Sequence, residues 1–510
     1  MEYKPMTAVW EITMGCNMRC MHCGSICEAP LEDELTTVEA LDLCSQIGDM
    51  GLKWITLSGG EPFTRQDWPQ IVGALSSRGV LTNMITNGWN LDMDTLKKAK
   101  EVGVSTIAIS VDGPKEVHDE IRKEGSFDKL SGAFERMDYL EITSGGVTTV
   151  STKNIHRLDE IMEFLVEKKV KFWQLQIGLP MGSMAKNSDM ILGPEAVDDI
   201  LKFIHKNKDN GSIKIYPADC LGYYTRMESE IRDTIFGSQV ETHWDGCHAG
   251  KRSFGVLQNG EILGCTSIRD SEFIEGSIRE RSLQEIWEDG SSFLWNREME
   301  KSKLGGFCSI CDYGDLCKGG CPNTRLTMEK SIYSENKYCS YNNALNKTQK
   351  LIHTFADEDK LYEKAESYAQ AGELTLAYMV LQELIDRDTI EKAHSLMGYV
   401  AFMLGDYDKS VEVNKKALSI DSSDAYALKG LGLAMYKIDK NDPKAIETLE
   451  AARQVDTTQD LDTYFDLANV YYELGKIDCA LQVIEEGQSK SEVFSQNISG
   501  LYEHLTTIGR

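Results

Sequence analysis

Four cysteines near the start of the chain are spaced like the ligands of a metal cluster. Cys16, Cys20 and Cys23 follow one another at steps of four and three residues, and Cys27 comes shortly after them. Three thiolates at this spacing can wrap one face of a cubane iron–sulfur cluster and leave one iron open. An open metal position is where a substrate can bind and react. The cysteines by themselves leave a zinc site, with Cys27 as the fourth ligand, as the alternative.

A second group of seven cysteines lies in the middle of the chain, and its members are Cys247, Cys265, Cys308, Cys311, Cys317, Cys321 and Cys339. Seven is an odd number for zinc sites or disulfides, whereas eight ligands would saturate two 4Fe–4S clusters. No signal peptide is visible, and a reducing cytosol disfavours disulfides, so we expect these thiols to bind metal. The isolated Cys44, Cys220 and Cys479 are expected to be small buried hydrophobic residues.

Strand-like and helix-like segments alternate from residue 7 to residue 205. Six short segments rich in β-branched and aromatic residues predict strands, and the segments between them have helical apolar spacing. This alternation predicts an α/β fold with a parallel sheet, a partial (β/α)6 TIM-like barrel, whose ligands bind at the carboxyl ends of the strands. The first cysteine loop and three polar or Gly-rich sequences, at 58–62, 86–88 and 110–113, each follow a strand. We therefore expect a site at one rim of this sheet.

The remainder of the chain divides into two further regions. We assign residues 1–210 to the sheet domain and 211–239 to a bridging segment. Residues 240–345 are rich in Cys, Gly and turns, so this small α+β domain is expected to depend on metal for its structure. Residues 357–510 are helical, and small residues recur there at steps of 33, 34 and 36, namely Ala365, Gly398, Gly432 and Ala468. Such steps are typical of an all-α solenoid of tetratricopeptide (TPR) repeats, which hold a polypeptide segment on a concave face.

The first cysteine group, together with the sequences that follow the strands, resembles the radical S-adenosylmethionine (radical SAM) superfamily. The signature of that family is C-x3-C-x-aromatic-C, and His22 stands here at the aromatic position. The resemblance implies that Cys16, Cys20 and Cys23 are the catalytic cysteines and hold a 4Fe–4S cluster. In the family, the open iron binds the amine and carboxylate of SAM, and an electron from the cluster cleaves SAM to a 5′-deoxyadenosyl radical.

The same resemblance implies which residues bind SAM. The family's GGEP motif is matched by Gly59, Gly60, Glu61 and Pro62. Its glycines let the backbone approach the ligand closely, and Glu61 can accept a hydrogen bond from the SAM ammonium. Asn87 and Ser110 are implied to lie near the ribose and methionine parts of SAM. Arg122 is implied to pair with the SAM carboxylate, for which a planar guanidinium is suited.

The second cysteine group resembles the SPASM domain, the C-terminal extension of radical SAM enzymes that mature peptides and proteins. The resemblance implies an outer 4Fe–4S cluster held by Cys308, Cys311, Cys317 and Cys339, and an inner one held by Cys247, Cys265 and Cys321. The fourth ligand of the inner cluster is left open between Cys220, Asp245, His243 and a site that is free to bind a substrate group. Thr266 replaces an acidic residue that serves as a base in sulfatase maturases, which argues against sulfatase maturation.

Charge and hydropathy exclude several classes of partner. The formal net charge is −27, and residues 351–510 hold 15 Lys and Arg against 29 Asp and Glu. A surface this acidic repels phosphate groups, which argues against nucleic acid or an anionic membrane as the main partner. No apolar run approaches the roughly 20 residues that span a bilayer. The expected location is the cytoplasm.

Together the resemblances imply an enzyme that cleaves SAM reductively and oxidatively modifies a peptide or protein. The product would be a thioether, a carbon–carbon crosslink or a related maturation. The TPR region would hold the substrate, and a protein such as ferredoxin or flavodoxin would donate the electron. The alternative is an enzyme that acts on a small molecule, such as a tetrapyrrole or a cofactor precursor, with the TPR region binding a partner protein. Nothing in the sequence separates these two hypotheses.

The three predicted clusters set the iron content. Anaerobically reconstituted protein is expected to hold about twelve irons per chain, since each cluster contributes about four. Replacing Cys16, Cys20 and Cys23 together by alanine should remove about four of them and abolish SAM cleavage. Iron analysis and a SAM-cleavage assay check this, with Cys44→Ala as the control that keeps both. An active enzyme that contains zinc instead of iron would contradict the interpretation.

Overall fold

The computed structural model describes residues 3–237, 244–457 and 461–508. The chain forms two compact units, one of Met1–Cys308 with Tyr313–Ala344 and one of Ser309–Asp312 with Leu345–Arg510. The first contains a largely parallel sheet with helices and the Cys-rich region, and the second is helical, so the predicted fold class is confirmed. None of the described helices is long and apolar enough to cross a membrane.

Ten strands form one sheet in the described part of the chain, in the order β10-β9-β8-β1-β2-β3-β4-β5-β6-β7. Strands β8 and β1 to β7 pair with one another in parallel, whereas β9 is antiparallel to both β8 and β10. Their bounds are β1 Thr7–Thr13, β2 Trp54–Gly59, β3 Leu81–Thr86, β4 Val104–Ser110, β5 Ser144–Val150, β6 Phe172–Ile177, β7 Lys214–Pro217, β8 Ser253–Val256, β9 Glu261–Leu263 and β10 Ile274–Ser277.

The first fourteen helices follow the strands or belong to the Cys-rich region. They are α1 Thr37–Asp49, α2 Trp68–Ser76, α3 Met93–Val102, α4 Lys115–Ile121, α5 Ser126–Tyr139, α6 Leu158–Glu167, α7 Ala196–Lys206, α8 Arg226–Phe236, α9 Leu283–Glu288, α10 Leu294–Arg297, α11 Phe307–Ile310, α12 Gly314–Cys317, α13 Pro322–Glu329 and α14 Ser340–His353. Short 3-10 turns lie at Pro62–Thr64, Ile155–Arg157, Met184–Lys186, Ser188–Met190, Ser271–Phe273 and Lys301–Lys303.

Alternation along the strands separates a hydrophobic face from a polar one. On β6, Trp173, Leu175 and Ile177 are buried in the core against the helices, whereas Gln174 and Gln176 between them are half-buried on the other face. Successive strand residues point to opposite faces, so the second face of the sheet carries the polar side chains. The six predicted strands are all present, and their carboxyl ends meet at one edge as expected.

The sheet extends beyond the six predicted strands on both sides. Strand β7 comes from the segment that the sequence suggested as a bridge, and it pairs with β6. Strand β8 comes from the Cys-rich region and pairs in parallel with β1. Phe254, Leu283 and Trp287 of the Cys-rich region are buried in the same core as the sheet. Apolar side chains therefore fix the Cys-rich region to the sheet.

The second unit is built of helix pairs, as the repeat spacing predicted. Its helices are α15 Glu358–Gln370, α16 Leu374–Arg387, α17 Ala393–Leu404, α18 Tyr407–Ile420, α19 Ala425–Ile438, α20 Pro443–Val455, α21 Asp462–Glu473, α22 Ile477–Lys490 and α23 Glu492–Ile508. Gly372, Gly405 and Gly475 end the first helix of a pair with φ of 77°, 85° and 71°, where glycine has no steric penalty. The assignment of these pairs to TPR repeats stays a prediction.

Small residues lie where the helices of a pair cross. A Cβ on Gly398 would overlap the side chain of Asn414 on the next helix, and one on Gly432 would lie 2.7 Å from Cγ of Leu449. Cys479 was expected to be buried, and that prediction is wrong, because it is exposed on α22 while Ala480, Val483 and Ile484 form the buried face. Cys44 is buried as predicted.

The helix crossing at Gly398 gives a stability prediction. Gly398→Ala should lower the free energy of unfolding of the helical unit by about 1–3 kcal/mol, because the added methyl group overlaps Asn414, itself packed against Gly430. Gly500→Ala is the matched control, since it is exposed on a helix with open space around it, and it should raise stability by about 0.5–1 kcal/mol. Urea unfolding followed by circular dichroism measures both. Equal effects of the two changes would contradict the packing described.

Candidate active site

The two glycines after β2 lie against the backbone at the end of β1. Gly59 has a φ of 123°, and a Cβ on it would overlap the carbonyl oxygen of Thr13, while a Cβ on Gly60 would overlap that of Gly15. The amide of Gly60 donates to the Thr13 carbonyl at 2.7 Å, and the amide of Glu61 donates to the Gly15 carbonyl at 2.8 Å. The close approach that requires glycine is therefore to the start of the cysteine loop.

Glu61 is fully buried and joins two loops at the carboxyl edge of the sheet. Its carboxylate accepts hydrogen bonds from the Thr86 hydroxyl at 2.8 Å, the Asn87 amide at 2.8 Å and the Phe63 amide at 3.2 Å. Burial raises the pKa of the Glu61 carboxyl to about 7, and these hydrogen bonds oppose that shift. Pro62 is buried at the start of the 3-10 turn that Glu61 caps. Glu61 thus organises the loops after β2 and β3.

Asn87 connects this pair of loops to the cysteines. Its Nδ2 donates to Oδ1 of Asn17 at 2.7 Å and lies 4.0 Å from Sγ of Cys16. Ser110, at the end of β4, is half-buried on the polar face of the sheet. The structure therefore brings the predicted residues after β1, β2 and β3 into direct contact, with Ser110 at the same edge.

Asp112 is a buried carboxylate at the centre of the remaining contacts. Its Oδ2 accepts a hydrogen bond from Nε of Arg122 at 2.5 Å and lies 2.7 Å from Nε2 of His22, and its Oδ1 accepts from the Thr149 amide at 3.0 Å. Burial opposes ionisation, but the charges of Arg122 and His22 hold the pKa of Asp112 well below its usual range. The cysteine loop, β5 and the segment after α4 meet at this one side chain.

Arg122 lies beside one of the three cysteines of the first group. Its Nη1 is 3.9 Å from Sγ of Cys20, and Nη2 has no hydrogen-bond partner among the described residues. Burial raises the pKa of Cys20 to about 11, and Arg122 opposes that shift. A hydrogen bond from Cys27 lowers the pKa of Cys23 to about 5. Three thiols and a cation therefore share a partly buried loop, which suits an anionic cluster with an open side.

Within residues 3–237, 244–457 and 461–508, no three His, Cys, Asp or Glu side chains converge on a point that could hold one metal ion.

Three cysteines of the second group share one environment. Burial raises the pKa of the Cys247, Cys265 and Cys321 thiols, and the charge of Cys321 raises it further for the other two. These are the three residues that the resemblance implied for the inner cluster. Of the suggested fourth ligands, Asp245 pairs with His248 at 2.9 Å and with Arg252 at 3.6 Å. His243 lies outside the described residues.

Three of the cysteines implied for the outer cluster belong to the first unit. Cys317 is buried with Tyr223, Tyr224 and Trp244, and Cys339 packs against the same side chains. Sγ of Cys308 accepts a hydrogen bond from the Asn336 amide at 3.4 Å. Cys311 is half-buried and comes directly after α11.

Sequence reasoning missed three residues of these sites. His22 was read only as a departure from the aromatic position, and Asp112 only as part of the sequence after β4. Arg325 was not considered, yet it is buried, and its cation lies within electrostatic range of Cys308, Cys317 and Cys321. The position of Asp112 after a strand, in line with the other polar loops, was the signal available for it. Arg325, a single arginine in α13, had no comparable signal in the sequence.

Two family models match the chain. The model described as the radical SAM superfamily matches residues 10–165, and the SPASM model, described as an iron–sulfur cluster-binding domain, matches residues 247–312. They cover the first cysteine group with the loops around it, and the second group from Cys247 to Cys311.

Individual relatives match about two thirds of the chain. An AdoMet-dependent heme synthase of Methanosarcina barkeri is 28% identical over 346 residues, which are 66% of this chain and 97% of the relative. The mycofactocin maturase MftC of Mycolicibacterium smegmatis is 24% identical over 326 residues, 62% of this chain and 78% of the relative.

A solved structure shows the same fold. Streptococcus suis SuiB bound to S-adenosylmethionine superposes with a TM-score of 0.53 at 16% identity, covering 66% of this chain and 78% of SuiB. This likeness shows the fold, and the two family models identify the domains. The chain is an enzyme of the radical SAM superfamily, with a radical SAM domain followed by a SPASM domain.

Proposed function

We propose that the chain cleaves SAM reductively to a 5′-deoxyadenosyl radical and oxidatively modifies a peptide or protein. Cys16, Cys20 and Cys23 would hold the SAM-binding 4Fe–4S cluster, and the second cysteine group would hold two auxiliary clusters. When bound, the first cluster supplies the electron that breaks a carbon–sulfur bond of SAM. A one-electron donor such as ferredoxin or flavodoxin is required to restore that electron.

The contacts of Arg122 support its role toward SAM. Asp112 accepts a hydrogen bond from its Nε, so the plane of the guanidinium is fixed, Nη1 lies beside Cys20, and Nη2 has no hydrogen-bond partner among the described residues. A fixed guanidinium with a free N–H suits the SAM carboxylate. Glu61 already accepts three hydrogen bonds from the protein, so it acts toward SAM mainly by holding Asn87 and the loop after β2.

The polar face of the sheet supports a polypeptide substrate. Thr149, Gln174, Gln176 and Tyr216 are half-buried there, and Nε2 of Gln176 donates to the Thr149 hydroxyl at 3.1 Å. These are neutral hydroxyl and amide groups, which match the donors and acceptors of a peptide backbone. This group of neutral hydrogen-bonding side chains on β5, β6 and β7 is the observation that carries the proposed substrate class. The helix pairs of the second unit, if they bind as TPR repeats do, would hold a further part of the same polypeptide.

A second candidate substrate is a tetrapyrrole. It is favoured by the relative named as a heme synthase, nearly all of whose length is matched by this chain. In that case helices α15 to α23, which lie outside the residues that the two family models match, would bind a partner protein.

The role of Arg122 can be tested through SAM affinity. Arg122→Ala removes a charge-assisted hydrogen bond worth about 1.5–3 kcal/mol, so the Kd for SAM should rise about ten- to a hundredfold. Equilibrium binding to the anaerobically reconstituted protein measures it, with iron content expected to stay unchanged. Arg157→Ala is the matched control, because Arg157 pairs on the surface with Glu116 and Glu160. If both variants bind SAM equally well, Arg122 has no part in SAM binding.

The substrate class can be tested by the coupling of SAM cleavage to a product. The enzyme is incubated with SAM and a reductant, with either a short Cys-rich or repetitive peptide encoded beside its gene or an iron porphyrin that carries carboxylate side chains. We expect the peptide to raise 5′-deoxyadenosine formation and to lose two hydrogens for each crosslink, as measured by mass spectrometry. Stimulation by the porphyrin, with porphyrin product and an unchanged peptide, would reject the peptide in favour of the second candidate.

A further inference from the structure

Two exposed cations lie against the backbone of the first cysteine loop. Nη1 of Arg19 donates to the carbonyl of Cys16 at 2.9 Å and to that of Met18 at 2.8 Å. Nζ of Lys123 donates to the Asn17 carbonyl, which lies between them in the sequence, at 3.4 Å. Both cationic residues are exposed. Three successive carbonyl groups of the loop therefore bind side chains that carry positive charge to the protein surface.

An aromatic ring and a second lysine extend this surface. Nζ of Lys123 lies 4.0 Å from the ring centre of Trp89, and Nζ of Lys129 lies 5.7 Å from it. A cation over the face of an aromatic ring is attracted by the ring, which holds both lysines near Trp89. Neither lysine forms an ion pair within the part of the chain that the structure describes, and both are exposed. We call Arg19, Trp89, Lys123 and Lys129 the loop patch.

Nearby carboxylates leave the loop patch with positive charge. Glu28 lies 3.8 Å from Arg19, and an ion pair between two exposed side chains at this distance is weak. Asp128 pairs with Lys115, which is not part of the patch. Glu124 is exposed. Three cations of the patch are thus set against Glu28 and Glu124, in a chain whose formal net charge is −27.

The loop patch is connected directly to the first cysteine group. Oδ1 of Asn17 accepts a hydrogen bond from Nδ2 of Asn87 at 2.7 Å, and the same Nδ2 lies 4.0 Å from Sγ of Cys16. The backbone of Asn17 and one hydrogen bond therefore join Lys123 to Cys16. The cysteines at positions 16, 20 and 23 are all half-buried, so this group lies close to the protein surface.

We propose that the loop patch is the docking surface for the acidic electron-carrier protein that reduces the first cluster. The inference rests on the proposed function, which requires a one-electron donor. Ferredoxins and flavodoxins are small acidic proteins, and the net charge of this chain repels them. Productive association then requires a local surface of opposite charge, and the loop patch supplies one beside the cysteines.

The size and position of the loop patch suit this partner. Electron-transfer complexes bury little surface and are transient, so a few exposed side chains are sufficient to orient the carrier. The carrier is oxidised by one electron, which passes to the cluster held by Cys16, Cys20 and Cys23. No bond forms or breaks in this step. A substrate, in contrast, has to reach the SAM-binding edge of the sheet and has no need of an exposed cationic surface.

The test reverses the charge of both lysines in the full-length reconstituted protein. Lys123→Glu with Lys129→Glu is titrated with flavodoxin and with ferredoxin by calorimetry, and SAM cleavage is measured with each reduced carrier. We expect the Kd and the KM for the carrier to rise about tenfold at low salt, because an attractive charge becomes a repulsive one. Added salt should narrow this difference. Cleavage driven by saturating dithionite should stay unchanged, because this small reductant does not dock.

Lys171→Glu with Lys214→Glu is the matched control. These two lysines are exposed at the amino ends of β6 and β7, the edge of the sheet opposite the cysteine loop, and the change in net charge is the same. This variant should bind and use the carrier as the parent does. Equal Kd and KM in the two double variants, or a parent that binds neither carrier, would overturn the docking surface. Failure of dithionite to drive cleavage in the parent would instead contradict the proposed function, and calorimetry would still decide the docking surface.

Discussion

The ionised carboxylate of Asp112 is buried, and a buried charge is stable only when it is paired and hydrogen-bonded. Arg122, His22 and the Thr149 amide meet this requirement from three different parts of the chain. Removing one partner would leave charge uncompensated, so these segments are held in one arrangement. The cysteine loop and the residue that we propose for the SAM carboxylate are thereby fixed relative to each other.

The sequence was sufficient to predict the sheet and the edge at which its site lies. Period-two alternation on β6 and the polar sequences after β1 to β4 carry this information locally. It was not sufficient for Asp112 and His22, which are 90 residues apart and meet only when the loops pack. The approach of Gly59 to the backbone of Thr13 was also not predictable from the sequence.

The Cys-rich region illustrates a different limit. Its composition predicted dependence on metal, and the family resemblance implied Cys247, Cys265 and Cys321 as the inner cysteines; burial raises the pKa of all three thiols. Its short strand β8 and residues such as Phe254 and Trp287 nevertheless extend the sheet and its core. A short apolar segment among cysteines has too little periodicity to predict such packing. The position of Arg325 could not be predicted for a related reason, since its burial among cysteines depends on tertiary contacts alone.

We propose that the chain breaks SAM by one-electron reduction at the edge where Cys16, Cys20, Cys23 and Arg122 meet. Reductive cleavage yields methionine and a 5′-deoxyadenosyl radical, which becomes 5′-deoxyadenosine once it has taken a hydrogen atom. The most direct measurement is chromatography of the products after reduced, reconstituted enzyme has been incubated with SAM. Methionine and 5′-deoxyadenosine in equal amounts, formed only with reductant, are the predicted result. S-adenosylhomocysteine as the product, or unchanged SAM in a protein that holds all its iron, would contradict the claim.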